Sequence, residues 1–213
     1  AYKFWSEKIG KTAPRETGVA AAWGSDVHTA FENHGKHGTP MPGNMVQYQK
    51  YADKIALAAS VSLRTEYEEK FAIRRVNTPC DFEDPDYYGR CITDVTFYTA
   101  PGRALVLDHK TGKYYGKTLQ AVTNAHLLML HHPDIHTVNT VFTYYKPGVV
   151  DRSEFKRDTI VAAFAPVQQN IDMLERAVQS HHFPARPNGL CRNHCSAYDC
   201  PHNGRTRPQF QDC

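Results

Sequence analysis

The chain lacks any long apolar run, which excludes a membrane-spanning helix of about 20 residues. Its opening, AYKFWSEKIGKTAPRE, lacks the apolar stretch of a signal peptide. Internal repeats and low-complexity segments are absent, so nothing points to a repeat array or a disordered chain. A large excess of one charge is also missing. Lys and Arg number 25 against 22 Asp and Glu, for a net charge of +3. That does not by itself demand nucleic acid, but it leaves room for a local basic groove. No cysteine precedes Cys80. The chain opens on Ala1 rather than Met, so residues upstream of it are expected. With no signal sequence, secreted disulfide chemistry is not expected and a cytoplasmic location is.

What the 213 residues do supply is enough length for one α/β domain with a real core. Residues 1–20 are basic and partly aromatic, and predict a helix followed by a loop. Residues 24–34 read as a helix start, with Ser25 or Asp26 able to cap it. Residues 35–44 are rich in Gly and Pro and read as a loop. Met45, Tyr48, Ala52, Ile55 and Ala59 recur at helical spacing and predict a helix over 45–60. Strands are expected at 65–76, 90–99, 103–110 and 137–146, with an acidic turn over 77–88. A helix is predicted over 116–131, ended near His132-Pro133. Residues 153–180 begin polar and become a long helix. Residues 184–213 form a small Cys- and His-rich module. The expected order α, α, β, β, β, α, β, α describes a mixed sheet flanked by helices.

The chemistry is concentrated in one hairpin. Ala100-Pro101-Gly102 has turn composition and separates RCITDVTFYT from RALVLDHK. Residues i and i+2 of a strand share a face, so Asp108 and Lys110 point the same way. A tight turn near Pro101 sets Asp94 opposite Asp108, with Cβ atoms about 4.5–5.5 Å apart. Two carboxylates that close repel unless a cation lies between them. A divalent ion with oxygen ligands, beside a lysine, is the inventory for metal-assisted phosphodiester hydrolysis.

Five elements then occur in order: Gly24 to His28, Tyr67-Glu68-Glu69-Lys70-Phe71-Ala72-Ile73, Ile92-Thr93-Asp94, Asp108-His109-Lys110-Thr111-Gly112-Lys113, and Leu119-Gln120. Together they resemble the RecB-like branch of the PD-(D/E)XK nuclease superfamily, which includes phage exonucleases and CRISPR-associated RecB-like exonucleases. The resemblance covers roughly residues 20–200. It implies a restriction-endonuclease-like core over 1–183, with the site at one edge of its sheet and the tail 184–213 packed on it. It assigns Asp94 and Asp108 as metal ligands, with the His109 carbonyl as a further one. Lys110 becomes the residue that orients water or stabilises charge. Glu68 is the acid on the preceding strand, with Glu66 as its competitor. His28 is a further ligand, braced by Glu32, and its imidazole favours Mn²⁺ over Mg²⁺. Gln120 lies near the lysine or the DNA. The aromatic residue usual after it is absent from Ala121-Val122-Thr123-Asn124.

Cys191, Cys195 and Cys200 are spaced C-x3-C-x4-C. The family holds an iron–sulfur cluster by one cysteine before the core and three after it. Here the first must lie upstream, or Cys213, or His194 with Zn²⁺, completes the set. Cys80 and Cys91 read as lone thiols. The expected function is a DNA-end-processing exonuclease of phage or bacterial recombination, requiring Mg²⁺ or Mn²⁺. Its partners would be single- or double-stranded DNA, a recombination protein and further copies of the chain. The competing classes are a silent DNA-binding module and a structural metal-binding protein.

Overall fold

The structure, a computed structural model, describes residues 11, 18–114, 116 and 119–205. The helix expected at the very start of the chain and Cys213 lie outside the described residues. The elements run α1 (Val19–His37), a 3-10 turn (Gly43–Tyr48), α2 (Gln49–Val61), β1 (Arg64–Ile73), β2 (Pro79–Cys80) and β3 (Gly89–Ala100). They continue with β4 (Arg103–Lys110), α3 (Leu119–His131), β5 (Thr137–Tyr144), β6 (Val149–Lys156), α4 (Ile160–Gln179) and a 3-10 turn at Gly189–Cys191. Val19–Val167 forms one compact unit and Gln168 onward belongs to a second. The division falls inside α4, just after Pro166, which cannot donate a helical hydrogen bond.

One mixed sheet organises the first unit, in the order β2-β1-β3-β4-β5-β6. β4 and β5 are parallel and joined through α3, while every other pair is antiparallel. β3 and β4 lie in the middle, so their interiors are buried on both faces. One face packs Phe71, Val106 and Val138 against Leu127, Leu128 and Met129 of α3, with Ile160 and Phe164 from the start of α4. The other packs Val95, Phe97 and Leu107 against Val27 and Phe31 of α1 and Ile55 of α2. The helix–sheet–helix layering follows from those two apolar faces.

Several boundaries differ from the sequence reading. α1 starts at Val19, because Val19-Ala20-Ala21-Ala22 favours helix ahead of Ser25 and Asp26. Those two residues lie within it and cap nothing. It also runs into the expected loop, to His37, and ends at Gly38, whose φ of +68° suits a left-handed terminus. The helix expected over 45–60 begins as a 3-10 turn. β1 stops at Ile73, where Arg74 and Thr78 close a turn with Asn77 at φ +56°. β2 then pairs back within the segment read as an acidic turn. The second half of β6, 153–156, occupies the polar start expected for the last helix. Val149, Asp151, Ser153 and Phe155 face partly inward and alternate with exposed residues. An outer strand with polar residues on both faces carries little apolar alternation to recognise.

Leu128 is fully buried between α3 and the sheet. Leu128→Ala is expected to lower stability by about 2–5 kcal/mol in urea denaturation. A loss under about 1 kcal/mol would mean that α3 does not seal that face.

Candidate active site

The expected site residues meet where β1, β3 and β4 adjoin, in the middle of the sheet rather than on an outer strand. β4 ends on Asp108, His109 and Lys110. Strand alternation turns Asp108 and Lys110 to one side, where Lys110 Nζ lies 2.7 Å from Asp108 Oδ2. Gln120, in the first turn of α3, closes a triangle. Its Nε2 donates to Asp108 Oδ1 at 2.8 Å, and its Oε1 accepts from Lys110 at 2.9 Å. Asp108 itself is 2% exposed.

The β3–β4 ladder pairs Val95 with Leu107, and one further step brings Asp94 level with Asp108. There a side chain takes over from the backbone. The His109 N–H donates to Asp94 Oδ2 at 2.6 Å. Asp94 Oδ1 lies 3.2 Å from His28 Nδ1, and His28 Nε2 lies 2.8 Å from the His109 carbonyl. Both ring nitrogens of His28 thus face oxygen acceptors, which only the doubly protonated imidazole satisfies. The hydrogen bond with Asp94 accordingly raises the His28 pKa.

Glu68 enters from β1 with a left-handed φ of +55°. Its neighbours Tyr67 and Glu69 pair regularly with Val95 and Thr93, so Glu68 is the irregular step facing Asp94. A glutamate pays conformational strain for that φ, of a kind that collects at functional sites. Its carboxylate, with His28 and Asp94, offers ligand atoms all within 4.8 Å of one another. Glu66, the competing candidate, is half-exposed and lies 3.5 Å from Arg64. Glu32, expected to brace His28, pairs with Lys36 at 2.6 Å.

Electrostatics divides the acids. Burial raises the Asp94 pKa, but the hydrogen bond from His28 and the positive surroundings outweigh it and leave the net value lowered. Burial and the Asp94 charge push Asp108 up to about 6 despite the adjacent Lys110. Burial and Asp94 raise Glu68 as well. Three carboxylates therefore compete for too little positive charge. The ligand atoms of His28, Glu68 and Asp94 lie close enough to hold a cation, which would relieve that repulsion. His109 turns its ring away from this cluster. Burial lowers its pKa to about 4, and the neutral ring stacks on Phe31 at 4.1 Å with Nδ1 2.6 Å from Tyr145 Oη. Its carbonyl, an expected ligand, is the group that His28 engages.

Cys191, Cys195 and Cys200 line one cavity of about 410 Å³ with His194 and His202. All three are free thiols. Among the described residues, no group of three ligand atoms that includes them converges within 4.8 Å. Cys80 and Cys91 are also free, and burial raises Cys91 to about 12.

The fold resembles that of one solved bacterial protein. That protein, an exonuclease by provisional description from Eubacterium rectale, aligns over 95% of this chain and 81% of its own at 13% identity and a TM-score of 0.50. A second structure, of SSO0001, aligns over 88% of this chain and 99% of its own at 13% identity, but its TM-score of 0.34 carries no weight. No family model and no curated protein matches the sequence.

Sequence reasoning missed a second polar cluster. Glu69 accepts from Tyr98 Oη at 3.0 Å and lies 3.3 Å from His132 Nε2. Burial raises Glu69, but bonding to His132 and Tyr98 more than offsets it, and the pKa is lowered. Glu69 sits beside Glu68 yet serves the opposite sheet face, an alternation visible in the sequence. Its partner His132 reads in the sequence only as part of a helix stop.

Two outcomes test this geometry. Glycine is ordinarily worse than alanine within a strand by about 0.5–1 kcal/mol. At a left-handed φ the order reverses, so Glu68→Gly should be more stable than Glu68→Ala by about 1 kcal/mol in thermal melts. The raised Asp108 pKa means that its proton stabilises the fold below about pH 4, and that this contribution is lost as pH rises through about 6. In EDTA, Asp108→Asn should therefore gain about 1–3 kcal/mol over wild type at pH 8. The gain should vanish toward pH 4. A gain that is constant with pH would mean that Asp108 is not repelled by its neighbours.

Proposed function

We propose that this chain is a divalent-metal-dependent deoxyribonuclease that trims DNA ends as an exonuclease. The observation that carries the reading is the junction of two sets. His28, Glu68 and Asp94 converge within 4.8 Å, and on the next strand Asp108 is tied to Lys110 and Gln120. The order of motifs resembling RecB-like nucleases, and the fold shared with the Eubacterium rectale protein, support the same class.

In this reading His28, Glu68, Asp94 and Asp108 hold Mg²⁺ or Mn²⁺. The bound cation would supply charge stabilisation at the phosphate and an acidified water. His28 gives up a ring proton to become a ligand. The His109 N–H keeps Asp94 turned toward the site. Lys110 donates to an amide oxygen and pairs with a carboxylate, the bonding of an ammonium. In that form it stabilises the charge that builds on the phosphate as the water oxygen attacks phosphorus and the P–O bond to the leaving sugar breaks. Gln120 fixes both Lys110 and Asp108 before substrate arrives. Cys191, Cys195 and Cys200, around one cavity with His194, are proposed to hold an iron–sulfur cluster or Zn²⁺ that staples residues 184–213.

The test is digestion of end-labelled linear single- and double-stranded DNA with Mg²⁺ or Mn²⁺. Wild type should release label. Lys110→Ala should lose about 10²–10³-fold in rate and Asp108→Ala at least as much, and the labelled end that goes first gives the polarity. Cleavage that survives both substitutions, or none with either metal, would overturn the proposal.

A further inference from the structure

We infer that a pocket beside the candidate active site takes one unpaired nucleobase of the strand being processed. The inference deepens the nuclease reading by naming a strand end with a free base as the substrate.

The pocket, about 440 Å³, is lined by Trp23, Tyr48 and Tyr145, with Gln47 and Lys146 and the Thr111–Gly112 step. Among the described residues, no carboxylate lines it. Aromatic walls with one cation and one amide match a base and its phosphate, because every base has a face to stack and the backbone is anionic. The walls are fixed in advance. Tyr145 has its Oη 2.6 Å from His109 Nδ1 and its N–H on the Lys110 carbonyl at 3.0 Å. Its ring stacks on Phe31 at 5.3 Å and meets Tyr48 at 5.0 Å.

The location is equally specific. Thr111 and Gly112 directly follow Lys110 on the chain. Trp23 precedes His28 by five residues on α1, about 7.5 Å along the axis. Gly24 of α1 lies against the strand end: a Cβ there would be in van der Waals contact with Thr111 Oγ1, at 3.4 Å. Trp23 and Lys146 thus flank the end of the strand that carries Asp108 and Lys110. A base seated here belongs to the same strand as the phosphate at the site. A duplex end offers such a base only by fraying or through an overhang.

The test is an abasic scan. Full-length protein in EDTA binds a fluorescent single-stranded 12-mer in which one abasic position is moved stepwise from each end. Wild type should show one position where loss of the base weakens binding about tenfold to a hundredfold. Trp23→Leu should bind the intact strand as weakly as wild type binds that abasic strand, and should lose the position dependence. Trp23→Phe should keep both. Lys146→Gln should lower the salt slope of log Kd by about one. Circular dichroism checks folding. If Trp23→Leu does not fold, the wild-type scan and Lys146→Gln decide. A flat wild-type scan, or normal binding by a folded Trp23→Leu, would overturn the inference. A flat scan alongside Mn²⁺-dependent cleavage would remove the pocket and keep the nuclease. A position-dependent scan without cleavage would do the reverse.

Discussion

The contact on which the site depends is the hydrogen bond from the His109 amide to Asp94. It stands where the β3–β4 ladder would otherwise continue, and it commits a buried carboxylate to the seam between two central strands. Once Asp94 is held there, Asp108 titrates high, His28 sits with both ring nitrogens against oxygens, and Glu68 faces a crowded negative centre. Each distortion nearby, from the left-handed Glu68 to the closed Lys110–Gln120–Asp108 triangle, answers that one commitment. A cluster of unlike pKa values packed this tightly is poor structural economy.

The hairpin was legible because its information is local. Turn composition at Pro101-Gly102 and a period of two mark the hairpin, while the irregularity between Tyr98 and Ala100 shifts the register by one residue and brings Asp94 level with Asp108 rather than His109. The apolar runs into Asp108 and out of Thr137 likewise announced two strands, though not that they pair in parallel. Outer elements were harder. β6 carries apolar residues only toward its ends, at Val149, Val150 and Phe155, with polar residues on both faces between them, so it offered little apolar alternation. β2 is two residues long and exists only because β1 turns back on itself. α1 was misplaced at its start because Ser and Asp are good caps wherever they occur, and only packing decides whether they are used.

The site was legible only in part for a related reason. Residue types named its members, but not their division of labour. Nothing in the sequence says that His109 turns to Phe31 and Tyr145, leaving its carbonyl to His28. Nor does spacing reveal that Glu68 has a left-handed backbone, the feature that separates it from Glu66 and Glu69 on the same strand. The aromatic column of Phe31, Tyr48, Tyr51 and Tyr145 comes from three separate segments and has no linear signature.

The site also has an order of assembly. Asp94, Asp108 and Lys110 lie on one hairpin with a two-residue turn, a structure that can close in microseconds. His28 arrives from a helix 66 positions earlier in the chain than Asp94, and loop closure over that distance is slower. The two carboxylates are therefore local partners in the chain, while their imidazole is a long-range one.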